Sequence, residues 1–487
     1  MLEKLAKQSA IYGISTILGR LLSYLLTPYY TRLFSPEEYG IITDLYALIP
    51  FALVLLTMGM ESSYFRFSAK AEGDSGAKSK LFATTWGTTI IASALFCFAI
   101  FLFQSDVTRL MGAAYVAQPI LVSLVAAIIF FDVVACVPFA KLREEGAANK
   151  YVVLKLINIV LQVGLAVGFG AAGLYSSTAL GVGWVLVANL IASVATLLLT
   201  LIASKAIFPI IDTKLLCAVL LYSLPLLLSG IAGTATEFID RQMIKYIAPV
   251  GAMAQLGIYG AVTKIAVVMT LFTQMYRLAA EPFFLSGFKK DEFVESNAEA
   301  MKYYLIVTIA ILLGITLFAD IFAFIVGRDF REGINILPVI LLSNLLMGVW
   351  LNLSFWYKRE EKTRFALYVT LVGLAATVAT NMVLIPTYDY SGAAWARLCS
   401  EAIMVVCSYV IMRCYYPIPY DLHRISEYIF VGATIFGANY WLVNYANCAY
   451  SIVWCAKVVL IFCYAAFAVW REKIDLKALV GSILRRR

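Results

Sequence analysis

The sequence predicts an all-α integral membrane protein with about fourteen transmembrane helices. Three observations predict it: the composition, the spacing of apolar segments and the placement of basic residues. Of 487 residues, 62% are hydrophobic and 14% charged, against about 45–50% and about 25% in a soluble domain. Mean hydropathy is +0.86. A water-exposed surface cannot carry that excess, which excludes a cytosolic enzyme, a nucleic-acid binder and a secreted disulfide scaffold. At ~20 apolar residues plus a short loop per crossing, the chain allows roughly 12–15 helices. The nine Cys lie mostly in apolar runs without a C-x-x-C pair and read as small hydrophobes. The single His, His423, lies in a polar loop, which argues against a His-based metal site or catalytic triad.

The elements follow in order. Segment 1 (10–33) comes after the short, mildly basic Met1–Lys7. It is too long for a signal h-region and has no small-residue cleavage site, so it is expected to be the first crossing. Segment 2 (39–65) begins at Glu38-Tyr39-Gly40, and segments 3 (81–104), 4 (114–139), 5 (151–173) and 6 (177–203) complete a first half. Segments 7 (215–247) and 8 (253–284) are apolar runs that nevertheless carry charges, and segments 9 (303–326), 10 (333–357), 11 (365–386) and 12 (391–412) complete a second half. Segments 13 (425–444) and 14 (449–470) stand beyond it. In lipid the backbone must satisfy its own hydrogen bonds, so these are helices, and the ~10-residue alternation of a barrel is absent. Glu72–Lys80 and Lys289–Lys302 read as solvated cytoplasmic loops.

Basic residues orient the chain. With the N-terminus cytoplasmic, 26 Lys and Arg fall on the inside, and only Arg32, Arg109, Arg328 and Arg331 fall outside. An even count of crossings puts both termini in the cytoplasm. The terminal Arg485-Arg486-Arg487 suits anionic headgroups or an ordinary cytoplasmic tail.

The halves repeat. The Arg-Glu-Glu cores of Lys141–Gly146 and Tyr357–Lys362 are 216 residues apart, and Tyr39-Gly40-Ile41 matches Leu256-Gly257-Ile258 at 217. Thr178–Gly181 matches Ser391–Ala394 at 213. Several matches in order at nearly one offset mark an internal repeat. Six helices per copy give both copies the same topology, about an axis along the membrane normal. The expected organisation is an N-lobe over 1–203, a C-lobe over 204–412, and segments 13 and 14 with a basic tail over 413–487.

These residues carry a resemblance. Gly19-Arg20, Pro28 and Arg32-Leu-Phe-Ser-Pro-Glu-Glu-Tyr-Gly40 resemble the start of polysaccharide-biosynthesis flippases of the multidrug/oligosaccharidyl-lipid/polysaccharide exporter superfamily. Leu256–Gly260 and Ser391–Ala394 fit as well, and the resemblance covers segments 1–12. It implies two six-helix lobes around a central cavity lined mainly by helices 1, 2, 7 and 8, with alternating access. The implied substrate is a polyprenyl-diphosphate-linked oligosaccharide, moved from the cytoplasmic to the outer leaflet of a bacterial cytoplasmic membrane. The implied partners are membrane lipids, a polysaccharide polymerase and assembly proteins, with no nucleic acid.

Ionisable residues inside a membrane are costly and usually mark a pathway. Sixteen fall in the segments: Arg20, Lys155, Arg241, Lys245, Lys264, Arg277, Arg397 and Lys457, with Asp44, Glu61, Asp132, Glu237, Asp240, Glu281, Asp320 and Glu401. Ten of the sixteen are on segments 1, 2, 7 and 8, where an even spread would put about four or five. Arg forks suit phosphate oxygens, which makes Arg20, Arg241 and Arg277 the candidate diphosphate ligands, with Lys264 secondary and Arg66 at the inner end of segment 2 as a guide. Asp44, Glu61, Glu237 and Asp240 are candidate ion-coupling carboxylates for H⁺ or Na⁺. Structural readings stand beside these: an Arg20–Asp44 latch, i,i+4 pairs Glu237–Arg241, Arg277–Glu281 and Arg397–Glu401, and an outward-snorkelling Lys245. Pro28, Pro50, Pro225 and Pro282 are candidate hinges, or simply shape the packing.

There is no G-x-x-x-x-G-K-[ST] phosphate loop and no metal-ligand cluster, so no cofactor, catalytic or metal site is expected beyond a coupling ion. The residues leave open a peptidoglycan-precursor flippase and a multidrug cation antiporter. The antiporter fits less well, because the five bases on segments 1, 2, 7 and 8 suit an anionic headgroup. An integral-membrane polymerase or glycosyltransferase would need a longer extramembrane loop than the sequence has.

Overall fold

The computed structural model describes residues 24, 26–71, 73–206, 209–285, 290–362, 364–445 and 449–473. Most of segment 1, with Arg20, and the terminal arginines lie outside the described residues, as do the side chains of Glu237 and Pro282. Every regular element among the described residues is helical. Helices α1 (Leu26–Leu33), α2 (Pro36–Thr57), α3 (Met60–Lys70), α4 (Ser75–Leu102), α5 (Ile120–Glu144), α6 (Ala148–Ala171) and α7 (Gly183–Ala203) cover the first half. Helices α8 (Thr213–Ile247), α9 (Ala252–Ile265), α10 (Val267–Leu285), α11 (Lys290–Leu317), α12 (Leu337–Arg359) and α13 (Arg364–Tyr415) cover the second, and α14 (Leu422–Asn444) and α15 (Tyr450–Arg471) follow. Ten spans among the described residues are long and apolar enough to cross a membrane, or eleven when the bent pair α9–α10 counts as one. Segments 11 and 12 are both within α13, broken at Asp389, and segment 13 is helical as α14.

Local chemistry explains the boundaries. Ser35 caps α2: its hydroxyl accepts from Glu38 N at 3.3 Å, and Glu38 Oε2 accepts from Ser35 N at 2.9 Å. With Pro36 in the first turn, the motif Ser35-Pro-Glu-Glu38 is a capping box, of which the cap alone contributes ~1 kcal/mol. Asp74 caps α4, Asp212 caps α8 and Asp421 caps α14 in the same way. Within α4 the hydroxyls of Thr85, Thr88 and Ser93 donate to carbonyls four residues earlier at 2.7–2.8 Å, so polar side chains cross the apolar layer satisfied.

Among the described residues, two of the three helix interruptions fall away from the prolines, and the third is three residues past Pro386. Pro50, Pro138, Pro225 and Pro386 sit inside helices α2, α5, α8 and α13, and Pro28 sits in the first turn of α1. The breaks are at Met58–Gly59, both left-handed, at Ala266 with a 51° bend, and at Asp389 with φ 53°. The predicted loop Lys289–Lys302 is corrected: from Lys290 it is the start of α11, because Phe293 and Met301 give it an apolar face that is buried. Segment 4 starts later than expected. The short helix Ala113–Ala117 takes up its first residues, and Gln104–Met111 lies in the connection before it.

The chain forms two compact units. The first comprises Met1–Lys264, Val326–Glu332 and Thr370–Ala396. Its centre is α5, packed by α4, α7, α2 and α3, and α8 lies along α2 and α3. Trp86, Phe82, Tyr64, Val137 and Leu142 are core residues, and the Trp86 indole N–H donates to Val134 O at 3.0 Å.

The second unit comprises Ile265–Ile325, Gly333–Val369 and Arg397–Arg487. Here α11 packs on α12, α14 and α15, and Trp356 is fully buried in a stack on Tyr416. Glu472 ties the last helices down. It accepts from Lys302 Nζ at 2.6 Å and Tyr428 Oη at 2.8 Å, with Arg424 at 3.8 Å. Burial works to raise the Glu472 carboxyl, but the hydrogen bonds from Lys302 and Tyr428 outweigh it and hold it below the ordinary glutamate value. A depressed folded pKa contributes stability above the unfolded value and loses it as pH falls through the folded one. We therefore expect Glu472→Gln to lower unfolding stability in detergent by on the order of 1.5–3 kcal/mol at neutral pH. The gap from the parent should close on acidification below roughly pH 4.3; a gap independent of pH would rule out the carboxylate as its source.

Candidate functional site

The deepest charge in the first unit is Asp44 on α2, with no solvent exposure. One turn of α8 supplies two partners. Lys245 Nζ donates to Asp44 Oδ2 at 2.6 Å and Gln242 Nε2 to Oδ1 at 2.6 Å. The third is Tyr115 from the short helix Ala113–Ala117, whose hydroxyl donates to Oδ2 at 2.5 Å. Lys245 stands in the last turn of α8, where the helix dipole favours a cation, and 4.8 Å from the Tyr115 ring centroid. The expected snorkelling of Lys245 does not occur: its side chain is 4% exposed and neutralises Asp44. Arg20, the sequence-based partner for Asp44, lies outside the described residues.

Asp240, also on α8, is 1% exposed, and its Oδ1 accepts from Asn381 Nδ2 at 2.8 Å. Arg241 follows it. Its guanidinium acts electrostatically on the Tyr39 hydroxyl, and its Nε is buried without a hydrogen-bond partner among the described residues. The Glu237 side chain one turn earlier lies outside the description. Glu61 on α3 pairs with Arg143 and is 3.8 Å from Cys136 Sγ. Arg66, exposed near the end of α3, stacks its guanidinium 4.0 Å from the Tyr222 ring centroid on α8. Lys264 Nζ sits 4.6 Å from the ring of Tyr24.

In the second unit Arg277 is exposed on α10. Glu281 on the same helix pairs with Lys358 of α12 at 2.5 Å. Arg397 donates to Asn344 at 3.3 Å. No group of three His, Cys, Asp or Glu side chains among the described residues could hold a metal ion.

Sequence reasoning found the charges but not Tyr115, Gln242, Asn381 or Tyr222, which are neutral. Only Gln242 carried a signal: three residues before Lys245, it shares that residue's helix face.

The described residues make a multi-pass helical membrane protein with charges buried and paired along its apolar segments. Residues 5–287 match the family described as polysaccharide biosynthesis protein, and the chain belongs to that family. Similar solved structures include the lipid II flippase MurJ in an inward closed conformation, at TM-score 0.76 and 14% identity, covering 96% of this chain and 100% of that one. An inward-facing multidrug resistance MATE family transporter of the MOP superfamily matches at TM-score 0.68 and 16% identity, over 84% and 95%. A MOP superfamily transporter from Pyrococcus furiosus, described as having a binding pocket of reverse polarity, matches at TM-score 0.56 and 16% identity, over 84% and 95%. No curated protein matches the chain. The chain shares the fold of these transporters.

The Asp44 cluster makes a direct prediction. Removing one partner of a buried ion pair costs about 3–5 kcal/mol, and removing one hydrogen bond to a charged group about 1.5–3 kcal/mol. Lys245→Met should therefore destabilise the detergent-solubilised protein more than Tyr115→Phe, with both measured by chemical unfolding. Equal or negligible losses would show that Asp44 is not held as a paired carboxylate.

Proposed function

We propose that the protein is a flippase that carries a polyprenyl-diphosphate-linked oligosaccharide from the cytoplasmic to the outer leaflet by alternating access. The product would feed O-antigen, capsule or exopolysaccharide biosynthesis. The observation that carries the reading is Arg241. It is a guanidinium on an apolar helix of a member of the polysaccharide biosynthesis family, with a buried Nε that has no hydrogen-bond partner among the described residues. A cation whose Nε has no acceptor among the described residues suits an anionic headgroup that arrives and leaves, and a planar fork suits diphosphate oxygens. Arg20, Arg277 and Lys264 are proposed as further diphosphate ligands. Arg66, exposed and stacked on Tyr222, is proposed as the inner guide.

Asp240, buried on α8 beside Asn381, is proposed as the coupling carboxylate, for H⁺ or Na⁺. Asp44 and Glu61 each already hold a cationic side chain, which makes them weaker ion sites. Met58–Gly59 and the bend at Ala266 join the four prolines as candidate hinges. The setting is a bacterial cytoplasmic membrane with both termini cytoplasmic, and a polysaccharide polymerase and assembly proteins would receive the product outside.

A second reading is supported by the likeness to the lipid II flippase MurJ along nearly the whole chain: a peptidoglycan-precursor flippase. Deletion of the gene separates the two. Loss of surface glycan in viable cells is expected, whereas lysis would favour the second reading. Complementation with Arg241→Ala or Arg20→Ala should fail to restore glycan while membrane insertion stays normal. Full glycan display by both variants would sink the diphosphate assignment, and extrusion of cationic dyes with unchanged glycan would make the chain a drug antiporter.

A further inference from the structure

Three glycines of the first unit describe a contact that the repeat alone does not reveal. A Cβ placed on Gly40 of α2 would overlap the carbonyl oxygen of Met253, and one placed on Gly257 of α9 would overlap the carbonyl oxygen of Pro36. Pro36 lies four residues before Gly40, and Met253 four before Gly257. The offset of 217 that relates Gly40 to Gly257 also relates Pro36 to Met253. It relates Thr43 to Gly260 as well, and the Thr43 side chain fills the space a Cβ on Gly260 would need. The first turns of the two repeat-related helices thus cross backbone to backbone, each glycine against the carbonyl four residues before its counterpart.

The energetics of this seam are unusual for a helix crossing. It is made of small residues and carbonyl edges, so it excludes side chains from the crossing but gains only weak Cα–H···O attraction. Both helices present their N-terminal, electropositive ends to it. Such a seam seals without holding strongly. The holding is done one turn further on: Asp44, four residues after Gly40, is tied to Lys245 and Gln242 of α8 and to Tyr115. On the other flank Phe330 packs on Tyr39 at 5.5 Å between ring centroids, and Gly327 N–H donates to Thr31 Oγ1 at 3.0 Å. All of these lie at the end of the segments that the charge bias assigns to the outside.

We propose that the Gly40–Gly257 crossing is the outer gate and the Asp44–Lys245 pair its lock. The gate seals when the two backbones meet, and it parts when Asp44 gives up Lys245. The proposal rests on the alternating-access reading above and adds the residues that control one of its two states.

The test is accessibility of a cysteine behind the seam. Ala47, one turn beyond Thr43 and 4% exposed, is replaced by Cys in the full-length protein in cells. A membrane-impermeant maleimide is supplied from outside, and peptide mass spectrometry reads residue 47 alone, so the native cysteines stay. Gly257→Ala and Gly40→Ala, each of which prevents closure, should raise labelling at least tenfold, the shift that ~1.4 kcal/mol produces. Lys245→Met, which leaves the glycines intact, should do the same. Adding Asp44→Asn to it should lower labelling again, because a neutral amide needs no counter-charge. Unchanged labelling in Lys245→Met and in either monodisperse glycine variant overturns the proposal, and so does faster labelling only from the inside. The assay uses no substrate: if deletion leaves surface glycan intact, the glycan reading fails while the gate is still judged on residue 47 alone.

Discussion

A carboxylate with no solvent exposure is the constraint around which the first unit is arranged. An ionised Asp44 in an apolar interior is tolerable only with a counter-charge and filled hydrogen-bond positions. Meeting that demand brings together three stretches far apart in sequence: α2, the last turn of α8 and the short helix at Ala113–Ala117. It also fixes rotation. Lys245 and Gln242 must share one face of α8, which determines how Asp240 and Arg241 on neighbouring positions are presented. The polar groups nearest the proposed headgroup site are therefore set by a pair that is not itself that site.

Much of the fold was legible because lipid leaves few choices. Apolar length implies a helix, and ten or eleven of the expected fourteen crossings are long and apolar enough among the described residues. Ser35-Pro-Glu-Glu38, read in the sequence only as part of the family resemblance, is a capping box in the fold. Pairing was less legible. The i,i+4 rule reports one helix surface, so it linked Glu281 to Arg277, while in the fold Glu281 reaches Lys358 on another helix 77 residues away. Lys245 looked free to snorkel because its partner is 201 residues distant. Neutral donors such as Tyr115 and Asn381 give no charge signal at all. The bend at Ala266 occurs at a residue with no helix-breaking chemistry, so no local pattern could have marked it.

The second unit solves a different problem. Segments 13 and 14 stand outside the repeat and need attachments of their own. They find them at both ends: Lys457 on α15 pairs with Asp320 at 2.7 Å, and Glu472 gathers Lys302, Tyr428 and Arg424. The extension of α11 back to Lys290 is what carries Lys302 on a helix toward that cluster. A stretch that reads as solvated by composition is helical because its acidic first turn suits the positive helix end and its apolar face is buried.

The reciprocal glycine crossing has a consequence in the language of assembly. A contact in which residue i meets j while the copy of j meets the copy of i is isologous, the type that joins the two protomers of a two-fold dimer. Here both protomers are on one chain, with the first turn of α2 as one partner and the first turn of α9 as the other. A homodimer of the six-helix unit would make the same contact across its axis with a single glycine used twice. Fusion into one polypeptide frees each side to diverge, and Thr43 opposite Gly260 shows such a divergence: at one repeat-related position a side chain has been gained, and at its mate none can be accommodated.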